Sequence, residues 1–254
     1  MARRKRRPPP AAGGPAPDAS PLRVPAVDAL RGLAILAMIA YHFAFDLRFF
    51  GLSRADFEND PFWLGARAAI VTSFLLLVGI SLVLAHRARV AWPAFARRVA
   101  IVAACALAAS AASYALFPAT YITFGILHFI ALASLLARPL AARPRLALAL
   151  GAGALAGGLA FSHPFFDARA TSWIGFTTRK PATQDYVPLF PWIGVVLAGI
   201  ALGAALARRS FAPVAGLDRL PAALRWLGRH SLLVYMVHQP LLMGALWAVV
   251  ALAR

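Results

Sequence analysis

Seven blocks of apolar residues, each close to the ~20 that cross a bilayer core as a helix, are separated by short polar or basic connections. They cover residues 27–46, 62–85, 99–117, 121–137, 146–161, 188–207 and 231–252. The pattern predicts seven transmembrane helices. The longest connection between blocks, residues 163–187, is mostly polar or aromatic and is placed to cover a site. No repeat of fixed period is visible in the sequence, and the run GAGALAGG at 151–158 suits close helix packing.

Composition agrees with that pattern. Of 254 residues, 61% are hydrophobic and 14% charged, against about 25% charged in soluble domains, and mean hydropathy is +0.71. A soluble domain is excluded, and the expected class is an all-α, polytopic membrane protein. Residues 1–22, rich in Arg, Pro, Ala and Gly, read as a disordered basic cytoplasmic tail, with a membrane domain over 23–254. The first apolar block opens with Asp28 and Arg31 and has no small-residue cleavage site, which argues against a cleaved signal peptide.

Net charge is +17, but the basic residues flank apolar blocks, so they read as topology signals and not as a nucleic-acid surface. Eighteen fall on one side: six in and beside the tail, with Arg87, Arg89, Arg97, Arg98, Arg138, Arg143, Arg145, Arg208, Arg209, Arg219, Arg225 and Arg229. Seven fall on the other: Arg48, Arg54, Arg67, Arg169, Arg179, Lys180 and Arg254. The imbalance predicts a cytoplasmic N-terminus and an external C-terminus.

Several chemistries drop out. One cysteine, Cys105, excludes a disulfide framework and a multi-thiolate metal site. Neither lysine, Lys5 or Lys180, lies in an apolar block, so a Schiff base within a helix is excluded. His, Asp and Glu show no zincin spacing, and neither a phosphate loop after a strand nor GxSxG occurs. No metal is expected.

Ionisable residues inside a span are costly and are candidates for function. The first block contains Asp28, Arg31, His42 and Asp46. The eleven steps from Arg31 to His42 make three turns plus about 20°, with a rise of about 16 Å, so the two share a face at different depths. Asp28 lies three residues before Arg31 and Asp46 four after His42, spacings at which side chains meet. Arg31 then offers a guanidinium fork for phosphate, and Asp46 is placed to fix the tautomer of His42 as a base. The bland alternative has Arg31 reaching to headgroups and His42 making a structural bond.

In the last block Ser231, Tyr235 and His238 recur at steps of four and three, and Pro240 leaves the Met236 carbonyl without its helical donor. That face reads either as a pocket wall or as an interhelical network. His128 is a third intramembrane histidine, and Asp185, in DYVPLFPWIG, opens either an interface anchor or a pocket mouth. Together His128, Asp185, Tyr235 and His238 are the candidate substrate pocket. His86, His163 and His230 fall at helix ends or loops and read as solvated.

DALRGLAILAMIAYHFAFDL, SFLLLVGISLVL, FGILHFIAL, DYVPLFPWIGVVLAGIALG and LGRHSLLVYMVHQP, in this order, resemble the bacterial relatives of the heparan-alpha-glucosaminide N-acetyltransferase catalytic domain. The Arg, ten residues, His spacing is also similar to the wider transmembrane acyltransferase group. The resemblance implies transfer of an acetyl group from cytoplasmic acetyl-CoA to an amino sugar or other glycan, with an essential histidine. Arg31 and His42 match the shared motif, and no histidine lies between Phe43 and Ala85. On this reading His42 and Asp46 are catalytic, and Arg31 with Asp28 binds the donor. The expected partners are membrane lipid, acetyl-CoA and the acceptor, with a homo-oligomer compatible. The competing readings are a small-anion transporter using the same Arg31 and histidines, and a scaffold without chemistry.

Overall fold

The computed structural model describes residues 23–252. The proposed tail, residues 1–22, and the C-terminal Arg254 used in the topology argument lie outside them. Among the described residues the chain is all-helical apart from one isolated bridge, Phe124 with Tyr186. The helices are α1 (Pro25–Phe49), α2 (Pro61–Arg87), α3 (Trp92–Leu116), α4 (Ile126–Ala137), α5 (Pro144–Ala160), α6 (Leu189–Arg208), α7 (Ala222–Arg229) and α8 (Ser231–Leu252).

Five of these, α1, α2, α3, α6 and α8, are long and apolar enough to cross a membrane. The shorter apolar α4 and α5 complete the expected seven. Their outer faces carry Leu107, Leu116, Leu159, Leu241 and Trp247 exposed, as lipid contact requires. Proline stands in the first turn of α1, α2, α3 and α5, where its missing N–H costs nothing.

Two boundaries differ from the sequence pattern. The fourth block was expected to be helical from Tyr121, but α4 starts at Ile126 and has 12 residues, about 18 Å of helix. Residues 121–124 are non-helical and lie beside 184–187, with Phe124 bridging Tyr186 and Gln184 N donating to Thr120 O at 2.9 Å. In the other direction, α3 begins seven residues before its apolar block, which puts Arg97 and Arg98 on the helix. α7, an eight-residue helix in a connection read only as basic, was not expected at all.

Close approaches set the packing. A Cβ on Gly79 of α2 would overlap the backbone of α6 at Val196 and Ile200, and one on Gly194 would overlap α5 at Gly151. Only half of the small-residue run packs this way: Gly151 and Gly158 face α6, whereas Gly153 and Gly157 face open space. On the other side of the bundle, Gly32 of α1 and Gly228 of α7 each leave room for the partner's backbone. The largest core cluster joins α2, α4 and α6 through Leu75, Phe129, Val196 and Ile200.

Candidate active site

The polar residues of α1 form two groups, one at each end of the helix. At the end beside the arginine clusters, Arg31 Nη1 donates to Asp28 Oδ1 at 2.9 Å and Nη2 to Ser81 Oγ at 3.0 Å, with Gly228 O 3.5 Å from Nη1. The Asp28 pair expected from the sequence is present, but much of the fork is already used. Arg31 also lines a cavity of about 170 Å³ whose walls come from α1, α2, α3, α4 and α8 and include Ser81, Arg98, Ser231 and Tyr235.

Toward the other end of α1, His42 meets α8. Its ring lies edge-on to that of His238, centroids 5.0 Å apart. His238 Nδ1 is 2.7 Å from Tyr235 O. A carbonyl only accepts, so Nδ1 carries the hydrogen and the neutral ring keeps its lone pair on Nε2. That Nε2 is buried without a partner among the described residues.

Asp46 departs from the expected role. Its carboxylate, 1% exposed, accepts from Gln239 Nε2 at 2.7 Å, so α8 and not His42 takes its hydrogen bond. The carboxylate reaches across to an amide donor, although the i,i+4 geometry on its own helix would have served equally well. Asp46 Oδ2 and Gln239 Oε1 are likewise buried and unpartnered. One cluster between α1 and α8 therefore holds three acceptors with no donor, next to His42. Sequence reasoning missed Gln239, although an amide in an apolar block beside Pro240 is itself a signal.

The four candidate pocket residues separate. Tyr235 lines the cavity, with Ser231 one turn earlier, and His238 continues that face toward His42. His128 is held at both ring nitrogens: Nδ1 accepts from Gly125 N at 3.3 Å, and Nε2 lies 3.4 Å from Ser110 Oγ, which donates to Ile122 O at 2.6 Å. Asp185 Oδ2 accepts from Ile126 N at 2.7 Å and caps α4, where the exposed N–H groups of a helix start favour a carboxylate. These two brace the start of α4. Pro240 does not interrupt α8, which runs continuously from Ser231 to Leu252.

In the connection at 163–187, Asp167 ties the chain back on itself. It accepts from Thr178 N at 2.7 Å and Thr178 Oγ1 at 2.5 Å, and these bonds hold its carboxyl below the usual range. No group of three His, Cys, Asp or Glu side chains fit to hold a metal occurs among the described residues.

The family model described as heparan-alpha-glucosaminide N-acetyltransferase, catalytic, matches residues 23–240. No curated protein and no solved structure matches the chain. The match runs from Arg23, two residues before α1, to Pro240 and so takes in both polar groups of α1 and the His238–Gln239 pair of α8. The chain belongs to the heparan-alpha-glucosaminide N-acetyltransferase catalytic family, as a multi-pass membrane protein of the acetyltransferase type.

Proposed function

We propose that the protein transfers an acetyl group from cytoplasmic acetyl-CoA to an amine or hydroxyl of an amino sugar or other glycan at the opposite face of a bacterial inner membrane. Family membership supports transfer over small-anion transport by the same Arg31 and histidines. The observation that carries the site is the donor-poor cluster: His238 Nε2, Asp46 Oδ2 and Gln239 Oε1 are buried acceptors beside His42. An amino sugar, rich in N–H and O–H groups, supplies the missing donors.

In this reading His42 takes the proton from the acceptor as its nitrogen or oxygen attacks the acetyl carbonyl carbon. The new C–N or C–O bond forms, the C–S bond breaks, and the proton passes to the departing thiolate to give free CoA. His238, its tautomer fixed by Tyr235 O, presents a lone pair to the same proton. Asp46 orders the α8 side through Gln239. Arg31, set by Asp28, borders the donor cavity that Tyr235 also lines.

The test offers the purified full chain acetyl-CoA with a panel of amino sugars and glycans, and measures free thiol together with acetylated product. Thiol release that depends on the acceptor is expected. If no acceptor gives product, while a labelled small anion accumulates in proteoliposomes, the transporter reading replaces this one.

A further inference from the structure

A second cavity, of about 460 Å³, lies where the α2–α3 turn meets the end of α4. His86, Arg89 and Arg138 line it and no carboxylate does; Trp92 and Phe95 form its aromatic wall. Arg138 stacks with Cζ 4.1 Å from the Phe95 centroid and 4.9 Å from that of Trp92. Its Nη2 donates to Val90 O at 2.9 Å, while Nη1 is buried and has no partner among the described residues. A buried guanidinium nitrogen without an acceptor, beside two further basic side chains, calls for an anion.

The contrast with Arg31 decides where phosphate goes. Arg31 already has a carboxylate at 2.9 Å and a hydroxyl at 3.0 Å, whereas Arg138 has only a carbonyl. The half-exposed Trp92 offers a flat face, and the volume falls within the about 300–1,000 Å³ of small-molecule sites. The two cavities share Leu82, Ala85 and Phe95 in their linings. A ligand anchored in the second can therefore extend an arm over that shared wall toward Arg31 and Tyr235.

We propose that this second cavity binds the phosphorylated nucleotide end of the acyl donor, with Arg138, Arg89 and His86 on the phosphates and Trp92 against the base. The proposal rests on the CoA-dependent reading above. It moves the phosphates away from Arg31, expected on sequence grounds to hold them together with the arginines of the same face, to Arg138, Arg89 and His86, the last read from the sequence as solvated.

The probe is adenosine 3′,5′-bisphosphate, titrated onto the full chain in phosphatidylcholine nanodiscs. Saturable binding is expected, weakened about tenfold or more by Arg138→Gln, since a fork on phosphate makes paired charge-assisted bonds. Arg138 also braces Trp92 and Phe95, so His86→Gln and Arg89→Gln on the exposed rim give a second test and should each weaken binding several-fold. Arg145→Gln, an exposed charge outside the cavity, should not. No binding, or binding unchanged in all three cavity variants, overturns the proposal. So does equal competition by glycerol 3-phosphate, which would make this a lipid-headgroup site. Because the probe carries no acyl group, binding is read independently of turnover: binding without any acetyl transfer rejects the reaction and keeps the cavity, and transfer without binding does the reverse.

Discussion

His42 of α1 and His238 of α8 meet edge to face with ring centroids 5.0 Å apart, although the sequence places them 196 positions apart and offers Asp46 as the nearer partner of His42. The contact puts both histidines in one cluster. Only one of them, His238, has its tautomer set by a hydrogen bond, to Tyr235 O at 2.7 Å.

His42→Ala should lower the acetyl-transfer rate by about 10²- to 10⁴-fold, the usual contribution of a positioned base. His238→Ala removes a residue that the sequence placed in the substrate pocket and not among the catalytic groups. From the contact it should cost nearly as much, and the double variant little more than the worse single one, because residues acting together are not additive. Single-turnover transfer by the four proteins decides this. Multiplicative losses would mean that the rings act separately.

The Asp46–Gln239 bond should contribute to stability independently of catalysis. Gln239→Leu removes the donor from a buried carboxylate and should cost about 1.5–3 kcal/mol. Replacing both residues by Leu should recover most of that loss, since no polar group is then stranded. Unfolding of the two single and one double variant in one detergent gives the coupling directly. A double variant as unstable as the sum of the singles would show that the bond contributes nothing.

The spans were legible because long apolar runs with arginines at their ends allow few other structures in a bilayer. The start of α4 was not, because its cap comes from Asp185, 59 residues further on. The partner of Asp46 was hidden for a similar reason: His42 at i−4 and Gln239 on another helix are equally good chemistry, and only the packing of α1 on α8 selects between them. Asp28 with Arg31, a local i,i+3 pair, was read correctly. His86, Arg89 and Arg138 gave no local sign of a cavity, since basic residues at these positions are expected for topology alone.

Glycines should differ sharply in tolerance according to what a Cβ would meet, even on one helix. Gly228→Leu drives a side chain into the α1 backbone at Asp28 and disturbs the carbonyl near Arg31, so it should separate α7 from α1 and abolish the folded protein. Gly151→Leu should likewise fail against α6. Gly153→Ala, in open space on the same α5, should stabilise by up to about 1 kcal/mol through helix propensity. Thermal midpoints in one detergent rank them, and a tolerated Gly228→Leu would contradict the close crossing.

Acid should act on the connection at 163–187 through Asp167. Asp167 accepts three hydrogen bonds, two from Thr178 and one from Arg179 N at 3.4 Å, and they hold its carboxyl below the ordinary value of about 3.9. The native form therefore prefers the charged carboxylate. Its contribution is complete above the unfolded value of about 3.9, and is lost as pH falls through the lower folded value. The loop should thus loosen only in strong acid, freeing Phe166 and Phe176, which are partly buried against each other beside the already exposed Phe165. Pepsin cleavage at these phenylalanines, followed downward from pH 4, should rise steeply for the native chain. In Asp167→Ala the acceptors are gone at every pH, so cleavage should already be high at pH 4 and the rise should flatten. The same steep rise in both proteins would place the acid sensitivity elsewhere than Asp167.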